Sequence, residues 1–192
     1  TNLPCTNCYE DLSSRTSFFR RFVSDQGGVR TVFYQYAASS INFQDEDGRF
    51  RSIDPRLTPL SGAGRRYAAL QQPMPVSIDV DQRKTSLKIR DEEFSFNRNI
   101  RLLHRSSSGI ETSLGNADWS RVSAGDDGIC ITDIYPGVDL VISVRQGEVE
   151  SGFLLKQVLP FTDGELILLG DLRLPANWQL HSVKRDSLSQ LS

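Results

Sequence analysis

The sequence predicts an all-β protein: an antiparallel β-sandwich of about ten to twelve short strands with one short N-terminal helix. Three observations carry that expectation. From residue 29 onward, short apolar runs alternate with polar residues at period two. Turn-forming pairs punctuate those runs: Asp47-Gly48, Asp127-Gly128, Asp163-Gly164, Pro136-Gly137 and Gln146-Gly147. Helical spacing of apolar residues shows only once, ahead of Gly27-Gly28.

Residues 9–26 hold the helix candidate. Phe18, Phe19, Phe22 and Val23 recur at i, i+1, i+4 and i+5, with Ser13, Ser14 and Thr16 available as caps. Gly27-Gly28 ends it. Thr31–Tyr36, rich in β-branched and aromatic residues, begins the strands. Ile41 and Phe43 lie on one arm of a hairpin, Asp47-Gly48 at its tip, Phe50 and Ile53 on the other arm. Val76–Val80, Leu87–Ile89, Phe94–Phe96 and Ile129–Ile131 alternate with period two. Val138–Val144 leaves the Pro136-Gly137 turn as a buried strand that pairs with Glu150–Lys156. Phe153–Leu155, Leu166–Leu169 and Trp178–Val183 complete the series. Residues 55–75, with four prolines, form the longest irregular stretch, and Ser106–Gly109 reads as a flexible loop. The expected division is an extension with a C-x-x-C pair and a helix at 1–28, the sandwich at 29–183, and a polar tail or linker at 184–192.

Charge narrows the function classes. Lys and Arg number 22 against 24 Asp and Glu, a formal charge of −2. No excess of cations exists to replace phosphate counterions, so a nucleic-acid partner is not expected. The longest apolar runs fall far short of the ~20 residues of a membrane span. Ten Phe, five Tyr and two Trp supply a core that a disordered chain lacks. The start at Thr1, without Met, fits a mature amino terminus after signal removal or a trimmed chain.

The cysteines are Cys5, Cys8 and Cys130. A redox C-x-x-C sits at a helix start in an α/β pattern, and a structural zinc site wants a second ligand pair; neither context is present. A structural role is expected, as a disulfide formed in an oxidising compartment. Cys5–Cys8 and Cys8–Cys130 are both open.

Other chemistry is sparse. Asp45-Glu46-Asp47-Gly48 and Asp126-Asp127-Gly128 gather carboxylates before a glycine, but the remaining ligands of a calcium loop are missing; solvated hairpin tips are expected. His104 and His181 stand near no motif nucleophile. Glu92-Glu93 and Glu148/Glu150 are the carboxylate pairs available to a glycoside hydrolase. Arg20-Arg21 and Arg65-Arg66 read as solvated pairs. No phosphate loop or dinucleotide fingerprint occurs, and no catalytic residue, cofactor or metal is expected. Tyr34, Tyr36, Tyr67, Trp119 and Trp178 are candidates for a sugar-stacking platform, with core packing as the ordinary alternative.

Two segments carry a resemblance. Tyr36–Asp54, through Ile41, Asn42, Phe43, Asp45, Asp47, Gly48, Ile53 and Asp54, resembles a stretch near the amino end of very large bacterial surface proteins, the wall-associated and Rhs/YD-repeat proteins. Phe50 stands where that family often has tryptophan. Ile134-Tyr135-Pro136-Gly137-Val138-Asp139-Leu140, followed by Gly147 through Lys156, is similar to a later stretch of the same module, in the same order and at matching separation. The opening Asn7–Arg15 resembles secreted Bacteroidota proteins, many exported by the type IX system. Asp186-Ser187-Leu188 is similar to the sequence O-glycosylated in such proteins, which makes Ser187 a candidate modification site.

The resemblance implies a β-rich module at the amino end of a larger exported protein, secreted or at the cell surface. Its expected function is non-enzymatic: docking or capping the rest of the chain or a protein partner, with export-machinery subunits among the partners. One alternative is a carbohydrate-binding adhesion module with a glycan ligand. Another is the N-terminal part of an Rhs-type toxin-delivery protein.

Overall fold

The computed structural model describes residues 5–62, 64–157, 159–161 and 163–179. It is all-β, with 56% of the chain in strands. The strands run β1 (Tyr9–Glu10), β2 (Phe19–Gln26), β3 (Val29–Tyr36), β4 (Asn42–Gln44), β5 (Phe50–Ser52), β6 (Thr58–Pro59), β7 (Arg66–Ala69) and β8 (Val76–Asp79). They continue as β9 (Lys84–Ile89), β10 (Glu92–Arg105), β11 (Glu111–Ser113), β12 (Val122–Gly125), β13 (Gly128–Tyr135), β14 (Val138–Arg145), β15 (Glu148–Leu155) and β16 (Glu165–Arg173). Every pairing between them is antiparallel.

The helix expected over residues 9–26 does not form; a single 3-10 turn, Leu12–Ser14, is the helical element there, capped by the Asp11 carboxylate. The reason lies in Phe22 and Val23. Both are buried and adjacent, so each serves one face of β2, and a strand covered on two faces fits them as well as a helical stripe does. Gly27 and Gly28, at φ +59° and +81°, make a two-residue hairpin turn of the kind that needs positive φ at both positions. From it β2 and β3 pair along their whole length, Gln26 with Val29 and Phe19 with Tyr36. β1 adds to β2 to complete a three-stranded sheet.

The β4–β5 hairpin forms where the sequence places it, with Asn42 opposite Ser52 and Gln44 opposite Phe50. Residues 55–75 are less irregular than expected, because β6 and β7 fall inside them. β6 through β11 belong to a seven-stranded sheet whose spine is the 14-residue β10. On one edge β10 pairs with β9 and then β11; along the other it pairs with β16. Asn97 and Asn99 at positive φ mark the irregularities that let one strand serve three partners. β12 to β15 form a four-stranded meander. Its two-residue turns include Pro136-Gly137 and Gln146-Gly147, as the sequence indicates.

Both larger sheets feed one apolar cluster. Val76, Ile78, Ile100 and Leu102 enter from the seven-stranded sheet; Ile129, Ile131, Ile134, Val138, Leu140, Ile142 and Val144 enter from the meander. Each such fully buried side chain contributes about 1.5–3 kcal/mol relative to exposure. Of the strand expected at Trp178–Val183, the described residues Trp178 and Gln179 are not in a strand. Trp178 lies past the end of β16 and packs edge-on against Phe94, with ring centroids 4.7 Å apart. Residues 180–183, with His181, lie outside the described residues, as do 184–192 with Ser187. Among the described residues no helix is long and apolar enough to cross a membrane.

Candidate functional site

The first motif segment is anchored by its buried polar residue. Asn42 donates from Nδ2 to the Thr16 carbonyl at 2.7 Å and to the Phe19 carbonyl at 3.2 Å. Its Oδ1 accepts from Arg20 Nε at 3.1 Å. Arg20, expected to be solvated, is buried, and also donates to the Ile41 carbonyl. Asn42 and Arg20 thus bolt the β4–β5 hairpin to the three-stranded sheet. Ile41 and Phe43 are half-buried, and Ile53 donates its amide to the Ile41 carbonyl at 3.0 Å. Asp47 and Gly48 sit exposed at the tip. Asp54 bridges Gln71 through its amide and pairs with Arg56 through its carboxylate.

The second segment is held by charge. Asp139, buried on β14, accepts the Asp133 amide at 2.7 Å and the Lys156 ammonium at 2.9 Å. Lys156 also reaches the Asp133 carboxylate, which takes Arg121 at 2.9 Å on its other oxygen. Asp133 has φ +51° and lies where the β13–β14 register shifts, so the network fixes a bulge. Pro136 is exposed in the turn, Gly137 takes φ +77°, and Val138 is wholly buried. The motif residues are accounted for by folding roles.

The scattered chemical candidates do not converge. Asp45 spends its carboxylate on the Asp47 and Arg49 amides and on Arg51 at 2.7 Å. The Arg51 guanidinium, then the Arg49 amide, hold that carboxyl below its usual range. Glu46 faces Lys88 at 3.5 Å across a groove of about 790 Å³ that also takes in Phe43, Leu70 and Arg90. Among the described residues no three His, Cys, Asp or Glu side chains are grouped to hold a metal ion. Glu93 binds Lys84 at 2.6 Å and the Ser86 hydroxyl at 2.9 Å, Glu92 accepts from the Trp178 indole, and Glu148 and Glu150 stand in the β15 ladder opposite Arg145 and Ser143. His104 is buried, donates from Nε2 to the Asp163 carbonyl at 2.6 Å, and stacks on Phe161 at 3.9 Å. Cys5 and Cys8 form a disulfide with their Cα atoms 5.8 Å apart, while Cys130 is a half-buried free thiol on β13.

The aromatic candidates divide. Trp119 is 4% exposed and belongs to the core, and Tyr67 packs against it. Tyr34 and Tyr36 are exposed on β3, with Phe19 of β2 beside them at 5.5 and 5.2 Å between ring centroids. Trp178 is exposed at a separate place, against Phe94.

The most unusual surface is the edge formed by β16. Among the described residues this nine-residue strand pairs with β10 alone. Leu166, Leu168, Leu169 and Leu172 are all exposed, Leu168 by 48% and Leu172 by 49%. Leu168 sits opposite Leu102 of the core, so the apolar interior continues outward onto β16. Leu154 and Leu155 are exposed on β15, itself an edge of the meander. Leu155 and Leu166 line one cleft of about 700 Å³ together with Leu159, Phe161 and His104. Soluble proteins blunt such edges with charged side chains, Pro or a covering element; β16 holds its charges at Glu165, Asp171 and Arg173, and Leu166–Leu169 between them carries none.

Compared with known protein families, curated proteins and solved structures, the chain matches none of them.

Two features escape sequence reading. Arg20 beside Arg21 carries no signal of burial, since its partner Asn42 is distant in the chain. Leu166–Leu169 reads as a strand, but a continuous apolar run says nothing about whether its outer edge is covered.

Proposed function

We propose that this chain is a non-catalytic docking module that engages polypeptide along β16. In this reading the two larger sheets are the layers of a β-sandwich, and the side bounded by β15 and β16 is the working surface. The observation that carries it is β16 itself: nine residues long, leucine-rich, exposed, and paired on one side only among the described residues. A strand added there supplies main-chain hydrogen bonds, and Leu166, Leu168 and Leu172 supply the apolar contacts. The resemblance of residues 36–54 and 134–156 to modules of large exported bacterial proteins agrees with such a role. The Cys5–Cys8 disulfide is compatible with an oxidising compartment, as a secreted or cell-surface location requires.

The test is a photo-reactive amino acid placed at Leu166 or Leu168 in the protein as its cell makes it. The reading expects cross-links to one extended polypeptide segment, with the two positions capturing residues two apart. Cross-links scattered over unrelated sequences, or none, contradict it.

A second reading, glycan binding, is favoured by one observation: Tyr34 and Tyr36 present exposed rings on one sheet face beside Phe19. Aromatic rings stack on the apolar faces of pyranoses. Loss of glycan retention on Tyr36→Ala is its test.

A further inference from the structure

We infer that the polypeptide docked on β16 is β16 of a second copy of this chain, the two strands antiparallel about a two-fold axis at Leu169. The inference rests on the reading of β16 as a docking edge and names the occupant of that edge.

Charge and register argue for it. With the axis at Leu169, Glu165 of each copy stands opposite Arg173 of the other, so both ends of the ladder close with opposite charges. Leu166 faces Leu172, Leu168 faces Gly170, and Leu169 faces itself. Glu165 and Arg173 are both exposed and at the strand's two ends. Other registers lose this match. An axis at Leu168 sets Glu165 against Asp171, a like-charge pair; an axis at Gly170 sets it against Pro175, beyond the strand. Within its own chain Glu165 binds Arg105 at 2.9 Å through Oε1, and the carboxylate retains lone pairs for a second cation. Ile167 faces Asp171 in the pairing, and Asp171, exposed, already accepts from Asn99 Nδ2, so its carboxylate keeps a hydrogen bond there.

The arrangement also answers the edge problem. A self-complementary contact closes on itself as a dimer, whereas a one-sided contact propagates. The pairing joins the two seven-stranded sheets through their β16 strands and removes both exposed edges at once.

Sedimentation equilibrium on the chain tests this, with charge reversals at low salt. The wild type is expected to show a reversible monomer–dimer equilibrium. Glu165→Arg and Arg173→Glu are each expected to weaken the dimer by about tenfold or more, since each sets like charges together twice per dimer. The double reversal, Glu165→Arg with Arg173→Glu, is expected to restore it. Recovery by the double variant also separates loss of pairing from loss of folding. A monomer at every concentration, or a dimer indifferent to the reversals, overturns the inference. A monomer whose Leu168 still cross-links to a different polypeptide, or to residues 180–192 of its own chain, overturns the second-copy assignment and leaves the docking edge standing. A monomer without cross-links removes both.

Discussion

Lys156 places its ammonium 2.9 Å from the Asp139 carboxylate, two residues past the ladder position that Asp139 shares with Leu154. The same carboxylate accepts the Asp133 amide, so this ion pair braces the β13 bulge and the Pro136-Gly137 turn behind it. The second motif segment therefore has a local purpose: its Asp and its Lys meet.

Acid sensitivity follows from that network. Lys156, chiefly, holds the Asp133 carboxyl below its usual value of 3.8, and the Asp133 amide followed by Lys156 does the same for Asp139. Carboxylates with depressed folded values add stability above the unfolded value and lose it as pH falls through the folded one. The chain is expected to lose thermal stability progressively below pH 3.8. Lys156→Met should melt earlier than wild type at neutral pH, and the difference should shrink in that acid range. Asp139→Ala should melt earlier than Asp139→Asn, which keeps an acceptor for the Asp133 amide. Thermal melts across pH check all three.

Tyr135→Phe tests the core's polar contact. The Tyr135 hydroxyl is buried and donates to the Ile100 carbonyl at 2.8 Å, linking the meander to β10. Removing it takes away one buried hydrogen bond, at a cost of about 0.5–1.5 kcal/mol. Urea denaturation should show a lower midpoint with an unchanged slope.

Gly128 and Gly147 should differ sharply toward alanine. A Cβ on Gly128 meets the Ile142 carbonyl of the adjacent strand and comes 3.1 Å from Ser143 Cα, both backbone atoms that cannot step aside. At Gly147 it meets nothing within 4 Å, and the cost is that of φ +71° alone, roughly 1–2 kcal/mol. Gly128→Ala should therefore unfold at lower denaturant than Gly147→Ala; the reverse order would contradict the β13–β14 pairing.

The aromatic residues separate by burial. Trp119→Ala should cost about 3–5 kcal/mol, because the ring is part of the core. Tyr36→Ala, with the ring 75% exposed, should leave stability within about 1 kcal/mol. Denaturation of both variants, with glycan retention measured on Tyr36→Ala, separates a packing role from a binding one.

Much of the fold is legible in the sequence because β-hairpins advertise their turns. Pro136-Gly137 and Gln146-Gly147 fall where two-residue turns form, and Asp47-Gly48 marks the β4–β5 tip. The N-terminal helix is misread because Phe18, Phe19, Phe22 and Val23 satisfy helical spacing, while a strand buried on both faces satisfies it too. Gly27-Gly28, seen as a helix stop, is the stronger cue: it sits between two runs of equal length that pair end to end. Arg20 on Asn42 and Lys156 on Asp139 join residues 22 and 17 positions apart, and pairing at that distance leaves no local trace. That β16 is paired on one side only among the described residues depends on which strands come to lie beside it, and no sequence pattern records that.

The most direct measurement is residue-resolved amide hydrogen exchange over β16 in the assembled protein, compared with the same chain diluted until dissociated. Alternate amides of Glu165–Arg173 bond to β10; the others point outward. The account predicts slow exchange at the outward amides in the assembled state and fast exchange after dilution. Fast exchange of those amides in both states contradicts it.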